Sequence, residues 1–227
     1  MKYKAVLFDY DGVVADTMED NFSAWQFAFS KYGVQLERHK YFLMEGMTPR
    51  SVAETIFAEY NLNSDLTGEA VLVKEQFYIS HHSSFLHDGI ESLVSEIKAH
   101  GSLTGLVSGA SRERLFGSAP LDLLKMFDVI ITSDQVTHGK PDPEPYTLAA
   151  EQLKLAPAEC LVIENAPLGI SSAKRAAMDC IAVCTTLEKK YLREADLVVE
   201  RTSDLKSVLK NIETAGLKEI IESTVNT

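Results

Sequence analysis

Short apolar runs alternate with helical stretches along most of the chain. The run from Lys4 to Phe8 predicts a buried strand, because its apolar residues are continuous rather than alternating. After Gly89, similar runs predict strands at residues 103–107, 129–131, 161–163, 181–183 and 197–199. Short apolar strands that alternate with helices are typical of a parallel sheet covered on both faces. The pattern therefore predicts an α/β fold.

Between these strands, the periodicity predicts helices at residues 90–100, 112–125, 143–153 and 168–177, and a terminal helix from Leu205 to Glu222. The segment from Asp16 to Asp88 is different, because it is helical throughout. An aromatic side chain recurs there every three or four positions, as on the buried face of a helix, at Phe22, Trp25, Phe29 and Tyr32. Two more helices are predicted, one opening at Thr48-Pro49 and one at residues 70–80.

The change of pattern predicts two structural parts. The first is an α/β core made of residues 1–15 and 89–227. The second is an all-helical cap, residues 16–88, which is inserted after the first strand. Two short linkers would join them, near Asp16-Thr17 and near Gly89, and these are candidate hinges for a cap that moves as a unit.

The net charge is −11, from 22 lysine and arginine residues against 33 aspartate and glutamate residues. This charge argues against a general nucleic-acid or membrane-surface partner, because both surfaces are anionic. The longest apolar runs are too short to span a bilayer. Residues 1–4 lead directly into the first strand, without the apolar stretch of a secretion signal. We therefore expect a cytoplasmic protein with no nucleic-acid or membrane partner.

Two carboxylates, Asp9 and Asp11, follow the first strand. Residues two apart on an extended chain point to the same side, so both carboxyl groups leave the strand together. Such a pair can bind a hard cation, and one member can attack phosphorus. A calcium loop of the EF-hand type is the competing interpretation. It requires an oxygen ligand at the fifth position and glutamate at the twelfth, where this chain has Val13 and Asp20.

Ser108 ends a second predicted strand and precedes Gly109 and Ala110. A hydroxyl and free backbone N–H groups at a strand-to-helix turn can hold a phosphate. A serine and a glycine at a strand end are by themselves more often only a turn.

Three further polar residues, Lys140, Glu164 and Asn165, follow other predicted strands. Lys140 lies between a glycine and a proline and can neutralise a phosphoryl oxygen, while Glu164 and Asn165 offer two oxygen ligands. Polar groups would thus meet at the carboxyl ends of four strands, where open parallel sheets build their sites. This coincidence favours a functional site over packing.

The segments that carry these residues resemble the four motifs of the haloacid dehalogenase-like hydrolases. They are residues 9–17 (Asp-Tyr-Asp-Gly-Val-Val-Ala-Asp-Thr), 107–111 (Val-Ser-Gly-Ala-Ser), 139–146 (Gly-Lys-Pro-Asp-Pro-Glu-Pro-Tyr) and 163–169 (Ile-Glu-Asn-Ala-Pro-Leu-Gly). Their order is that of the family, and the helical insert resembles the cap of the β-phosphoglucomutase-like branch. The resemblance implies a Rossmann-like parallel sheet core, an inserted helical cap and phosphoryl transfer that depends on Mg²⁺.

The resemblance also implies a role for each core residue. Asp9 would be the nucleophile that forms an aspartyl-phosphate. Asp11 would protonate the leaving oxygen and then take a proton from the attacking water. Ser108 would hold the phosphoryl oxygens together with Lys140 and with the N–H groups at its turn, which belong to Gly109 and Ala110.

The magnesium site implied by the resemblance consists of Asp9, the backbone carbonyl of Asp11, Glu164 and Asn165. Members of this branch often carry aspartate in place of Asn165. The asparagine still offers a carbonyl oxygen, but the site loses one negative charge. Weaker Mg²⁺ binding is therefore expected.

The cap should distinguish hydrolysis from transfer to a second sugar phosphate. In β-phosphoglucomutases the cap supplies a histidine, whose position is held here by Asn21, and an arginine that grips a second phosphate. Pro49 occupies the arginine position, with Arg50 one residue further on, and such a shift turns a helical side chain by about 100°. Lys74 lies in a cap helix where the family has a substrate lysine, although a lysine at such a position is more often a surface residue. We expect Asn21, Arg50 and Lys74 to face the phosphate site when the cap closes.

These features predict a phosphoric monoester hydrolase that uses Mg²⁺ and acts on a small phosphorylated metabolite, such as a sugar phosphate. A sugar-phosphate mutase is the alternative within enzymes, and metal-free dehalogenation suits the carboxylates less well. A non-catalytic binding protein is disfavoured because Asp9, Asp11, Ser108 and Lys140 are all present. We expect a monomer or a weak dimer.

Overall fold

The computed structural model describes residues 3–83, 85–217 and 219–221, without the side chains of residues 213 and 214. The core contains a six-stranded sheet in which every neighbouring pair is parallel. In chain order, its strands are β1 (Ala5–Asp9), β4 (Leu103–Val107), β5 (Val129–Ile131), β6 (Cys160–Glu164), β7 (Asp179–Val183) and β8 (Leu197–Val199). Their spatial order is β5-β4-β1-β6-β7-β8. The predicted parallel sheet is confirmed.

Helices cover both faces of this sheet, as predicted. The core helices are α5 (Ile90–Ala99), α6 (Arg112–Ser118), α7 (Leu121–Leu124), α8 (Glu144–Leu153), α9 (Pro167–Arg175) and α10 (Leu205–Ala215). Successive residues of β1 point to opposite faces: Leu7 packs with α8 and α9, whereas Phe8 packs with α5 and α10. The central strand is therefore fully buried, which explains its unbroken apolar sequence.

Two predicted helices differ from those observed. The stretch 112–125 forms two short helices, because Pro120 precedes α7 and has an extended backbone, with ψ of 126°. The terminal helix α10 ends at Ala215, before Gly216, which has a φ of 84°. Leu217 and residues 219–221 are again helical, and Glu222, the predicted end, lies outside the described residues.

The cap contains α1 (Met18–Ser30), α2 (Arg38–Leu43), α3 (Pro49–Glu59) and α4 (Thr67–His81). Helix α4 packs against both α1 and α3. The aromatic stripe of α1 is core packing, as predicted: Trp25 and Phe29 are buried and stack with their centroids 4.9 Å apart. The predicted start of α3 is also confirmed, because the Thr48 side chain accepts a hydrogen bond from the N–H of Ser51.

The base of the cap is not helical, which corrects the all-helical prediction. Strand β2 (Ala15–Asp16) pairs in antiparallel fashion with β3 (Phe85–Leu86), so the two connections to the core are joined side by side. Gly89 follows with a φ of 81°, a backbone conformation that favours glycine, and α5 begins at the next residue. Within the described part of the chain, every helix is too short or too polar to cross a bilayer.

Candidate active site

The predicted core residues converge at the carboxyl end of the three central strands. Asp9 ends β1, Ser108 follows β4, and Glu164 ends β6, with Asn165 directly after it. Because β4, β1 and β6 are neighbours, their ends meet at one edge of the sheet. All four side chains are buried.

Lys140 enters this cluster from the loop before α8. Its Nζ lies 2.5 Å from Asp9 Oδ1, 2.7 Å from Glu164 Oε1 and 3.3 Å from the Val107 carbonyl oxygen. Burial would lower the pKa of Lys140, but the two carboxylates raise it, so the ammonium stays charged. Burial raises the pKa of Asp9 well above its ordinary value, and neighbouring Glu164 and Asp11 add to this against the opposing effect of Lys140.

Glu164 is held rigidly behind Lys140. Its Oε1 accepts a hydrogen bond from the Tyr146 hydroxyl at 2.9 Å, and its Oε2 accepts from the N–H groups of Asn165 at 2.8 Å and Ala166 at 3.1 Å. A Cβ atom on Gly169 in the following helix would lie only 1.7 Å from Glu164 Oε1. The glycine of the fourth motif therefore gives this carboxylate its space.

Asp11 has a separate set of partners. Its carboxylate accepts hydrogen bonds from Thr17 Oγ1 at 2.6 Å and from Asn21 Nδ2 at 3.1 Å, and it forms a two-pronged ion pair with Arg114, at 2.6 and 3.2 Å. Ser108 Oγ is 3.4 Å away. Burial alone would raise the pKa of Asp11, but Arg114 and the Thr17 hydroxyl lower it to about 2.

Arg114 and Thr17 were not among the residues predicted from the sequence. Thr17 was visible as the last residue of the first motif, but its contact with Asp11 depends on the turn before α1. Arg114 lies on α6, in a stretch whose charged residues gave no indication of which one points inward. Its guanidinium is buried against the ring of Tyr78 from the cap, 4.8 Å from the centroid.

The turn after β4 differs from the predicted phosphate cradle in one contact. The N–H of Ala110 donates to Ser108 Oγ at 3.0 Å, so this predicted donor is already engaged within the turn. Gly109 lies beneath the cap, since a Cβ atom there would be 3.0 Å from the Met47 carbonyl oxygen and 3.1 Å from that of Gly46. The cap loop thus rests directly on the turn.

Two other glycines permit the same close approach. A Cβ atom on Gly139 would lie 2.5 Å from Thr48 Cγ2, and one on Gly46 would lie 3.2 Å from Lys140 Cδ. In this structure the cap therefore packs directly against the core. The glycines at this contact have no side chains, which allows the two backbones to approach closely.

A small cavity of about 20 Å³, called the chamber below, lies between the cap and the core above Asp11. Its polar lining consists of four buried cap side chains, Asn21, Tyr41, Glu45 and Lys74, together with Asp11 and Arg114 of the core. The other lining residues are Trp25, Met44, Met47, Pro49, Val52 and Gly109.

Comparison with known proteins identifies the family, because residues 6–183 match the haloacid dehalogenase-like hydrolases. The chain belongs to this family. It is similar to β-phosphoglucomutase of Bacillus subtilis (strain 168), with 32% identity over 210 residues that cover 89% of this chain and 91% of that protein. It is also similar to validoxylamine A 7'-phosphate phosphatase of Streptomyces hygroscopicus subsp. limoneus, with 28% identity over 214 residues that cover 90% and 96%.

The structural comparison agrees with the sequence comparison. The crystal structure of β-phosphoglucomutase from Clostridium difficile superimposes with a TM-score of 0.85 at 26% identity, covering 96% of this chain and 99% of that one. The chain is thus an enzyme of the β-phosphoglucomutase-like branch of the haloacid dehalogenase-like hydrolases.

In this family member, the structure brings two of the three predicted cap residues to the site. Lys74 Nζ contacts Asn21 Oδ1 at 2.9 Å and Glu75 Oε1 at 3.2 Å. Burial and nearby Arg114 lower the pKa of Lys74 to about 8. Burial raises the pKa of Glu45, which the sequence did not single out, to about 7, and the charge of Asp11 contributes.

The third predicted cap residue, Arg50, is not brought to the site. Its side chain is 81% exposed and pairs with Glu54 at 2.7 Å on the outside of α3. Helix α3 directs Pro49 and Val52 into the chamber, whereas Arg50 points outward. The one-residue shift seen in the sequence therefore removes Arg50 from the chamber, which corrects that expectation.

The oxygen ligands expected for Mg²⁺ fit the residues present. Asn165 Nδ2 donates to Thr186 Oγ1 at 2.8 Å, which leaves Asn165 Oδ1 buried with no hydrogen-bond partner. A buried acceptor of this kind, next to Glu164 and on the strand beside Asp9, suits a hard cation. Asp9 and Glu164 share a single cation, Lys140, so one negative charge at this edge of the sheet is left without a cation, which also suits Mg²⁺.

Proposed function

We propose that this chain is a Mg²⁺-dependent phosphatase that hydrolyses a small phosphorylated metabolite, such as a sugar phosphate, through an aspartyl-phosphate on Asp9. One observation carries the proposal: the two carboxylates of the first motif have different surroundings. Asp9 lies against Lys140 at the strand end, whereas Asp11 faces the cap and lines the small cavity, about 20 Å³, between the cap and the core. This separation suits a nucleophile and a general acid–base.

The chain's own residues would act in two steps. Asp9 Oδ attacks phosphorus while Ser108 and Lys140 hold the phosphoryl oxygens, and Asp11 gives its proton to the departing alcohol. Asp11 then accepts a proton from water, which attacks the phosphorus of the aspartyl-phosphate and releases phosphate. Mg²⁺, held by Asp9, the Asp11 carbonyl, Glu164 and Asn165, would neutralise charge on the phosphoryl group.

Arg114 and Thr17 stabilise the ionised form of Asp11, which is the form that takes a proton from water in the second step. The first step requires the protonated form, so Asp11 must hold its proton against these contacts until the alcohol departs. A mutase is the second candidate, because two of the similar proteins are β-phosphoglucomutases. A mutase must also hold a second phosphate, and Arg50, the expected cation for it, lies outside the chamber.

The test is a screen of purified protein with Mg²⁺ against phosphorylated sugars, sugar alcohols, nucleotides and short acids. We expect catalytic release of inorganic phosphate from at least one metabolite, and a transient phosphoenzyme that hydroxylamine cleaves, as it does acyl phosphates. Isomerisation of a sugar phosphate without net phosphate release would establish the mutase instead. No turnover of any ester, including p-nitrophenyl phosphate, would refute both.

Mg²⁺ binding should respond to the charge at residue 165. We expect Asn165→Asp to lower the Mg²⁺ concentration for half-maximal rate by roughly tenfold, because the added carboxylate attracts the cation directly. It should also lower Tm without metal and increase the rise in Tm that Mg²⁺ produces. Asn63→Asp, an exposed change of the same chemistry, is the control. An unchanged Mg²⁺ requirement and Tm rise would remove residue 165 from the ligand set.

Lys74 and Arg50 should differ in their effect on the substrate. Lys74→Met removes a buried cation from the chamber, so we expect KM for the metabolite to rise roughly 10- to 100-fold, with a smaller change for p-nitrophenyl phosphate. Arg50→Met, the matched change on the outside of α3, should alter neither KM beyond about twofold. Equal effects of the two variants would mean that the closed arrangement seen here is not the one that binds substrate.

A cytoplasmic location and a monomeric or weakly dimeric state remain predictions.

A further inference from the structure

Glu45 is an acidic residue of the chamber that the proposed chemistry does not use. It follows α2 in the cap, is 9% exposed, and accepts a hydrogen bond from the Tyr41 hydroxyl at 3.0 Å through Oε2. Among the described residues, no lysine, arginine or histidine forms an ion pair with it. Buried carboxylates are normally paired with a cation, so this one has capacity for further hydrogen-bond donors.

Glu45 is also fixed close to the reacting groups. The next residue, Gly46, packs against the side chain of Lys140, and its carbonyl lies over Gly109 of the phosphate turn. Glu45 and Asp11 line the same small cavity, so a leaving group that enters beside Asp11 would lie next to the Glu45 carboxylate.

The two cations of the chamber already have anionic partners. Arg114 is paired with Asp11 at 2.6 Å and lies 3.8 Å from Glu75, and Lys74 contacts Glu75 at 3.2 Å. Two carboxylates of the chamber, Asp11 and Glu45, and the adjacent Glu75 outside its lining thus surround two cations. A second phosphate or a carboxylate on the substrate would have to break one of these buried pairs and approach Glu45.

We propose that Glu45 is a specificity-determining residue that accepts hydrogen bonds from hydroxyl groups of the leaving group, and that the substrate is a polyhydroxylated monophosphate without a second anionic group. Hydroxyl groups donate to a carboxylate in strong, charge-assisted hydrogen bonds. Apolar side chains lie beside Glu45 in the same lining, namely Trp25, Met44, Met47 and Val52, and they would contact the carbon skeleton of such a compound once the cap admits it. This inference rests on the proposed phosphatase activity.

Matched substrate pairs test the inference. Glucitol 6-phosphate and 6-phosphogluconate differ only in a terminal hydroxymethyl or carboxylate group, and fructose 1-phosphate and fructose 1,6-bisphosphate form a second pair. At pH 8, we expect kcat/KM of the unmodified enzyme to be at least about tenfold higher for the member of each pair that lacks a second anionic group. This difference matches one charge-assisted hydrogen bond. The ratio of the two kcat/KM values is the readout.

Two substitutions should change this ratio. Glu45→Gln keeps the shape and an acceptor for Tyr41 but removes the charge, and should lower the ratio by roughly tenfold. Glu45→Lys should lower it by roughly 100-fold or reverse it, because a cation then faces the second anion. Glu54→Gln on the exposed side of α3 is the matched control and should leave the ratio unchanged. Tm reports whether each variant folds, and Glu45→Gln gives the answer if Glu45→Lys does not.

Several results would overturn the inference. One is a preference of the unmodified enzyme for the bisphosphate or the carboxylate member. Another is a ratio that stays constant in both Glu45 variants while kcat/KM falls equally for the two substrates, which would indicate a purely structural role. A third is turnover of p-nitrophenyl phosphate without turnover of any polyol monophosphate that lacks a second anionic group. Absence of turnover of every ester, p-nitrophenyl phosphate included, would instead refute the proposed phosphatase function.

Discussion

Replacing Asp9 with asparagine is expected to abolish phosphate release while the protein stays folded. The carboxamide is a poor nucleophile and a neutral ligand, so the first chemical step and part of the Mg²⁺ site are lost together. Removal of one member of a unit that acts together typically costs roughly 10⁴-fold or more in turnover. The loss should appear both in steady-state phosphate release and in the amount of hydroxylamine-sensitive phosphoenzyme.

The fold should tolerate this change. Asp9 is only 4% exposed, and burial raises the pKa of its carboxyl group, which means that the charged carboxylate is disfavoured at this position. A neutral amide there removes a buried charge, so we expect Tm to stay the same or to rise. Asp122→Asn makes the same chemical change at an exposed surface position and should leave turnover unaffected. Substantial phosphate release by pure Asp9→Asn protein would mean that another residue attacks phosphorus.

The sequence was most informative about residues at strand ends. Asp9, Ser108 and Glu164 could be found because each directly follows or ends a short apolar run, and parallel strands bring such positions to one edge. Lys140 was found through its motif, although its position between Asp9 and Glu164 depends on the loop before α8. The fold itself followed from the alternation of strands and helices.

The residues that the sequence did not reveal depend on helix register and on the docking of the cap. Arg114 is one of three successive charged residues and Glu45 is a single acidic residue in an apolar stretch, and only the packing of α6 and of the cap loop shows that both are buried at the site. Arg50 shows the converse. It lies one residue after the position at which β-phosphoglucomutases have their arginine, and this shift along the helix turns its side chain outward. Local pattern thus locates the chemical groups of the core, whereas the chamber is determined by contacts between distant segments.

Replacing Lys140 with methionine is expected to cost stability as well as activity. Lys140 is 3% exposed, and its ammonium lies between Asp9 and Glu164, at 2.5 and 2.7 Å. Methionine fills a similar volume but leaves two carboxylates buried close together without a cation. Breaking a buried ion pair in this way typically costs about 3–5 kcal/mol of unfolding free energy. Urea denaturation without Mg²⁺ would measure the loss.

Two comparisons separate this electrostatic cause from a simple loss of packing. Lys174→Met removes a lysine that contacts both oxygens of Asp196 but is partly exposed, so it should cost only about 0–1 kcal/mol. The double variant Lys140→Met with Asp9→Asn has one fewer buried carboxylate without a cation, so it should be more stable than Lys140→Met alone. If it is equally unstable, the repulsion between Asp9 and Glu164 is not the source of the loss. Mg²⁺ should also recover part of the stability of the single variant, because the cation neutralises the same two carboxylates.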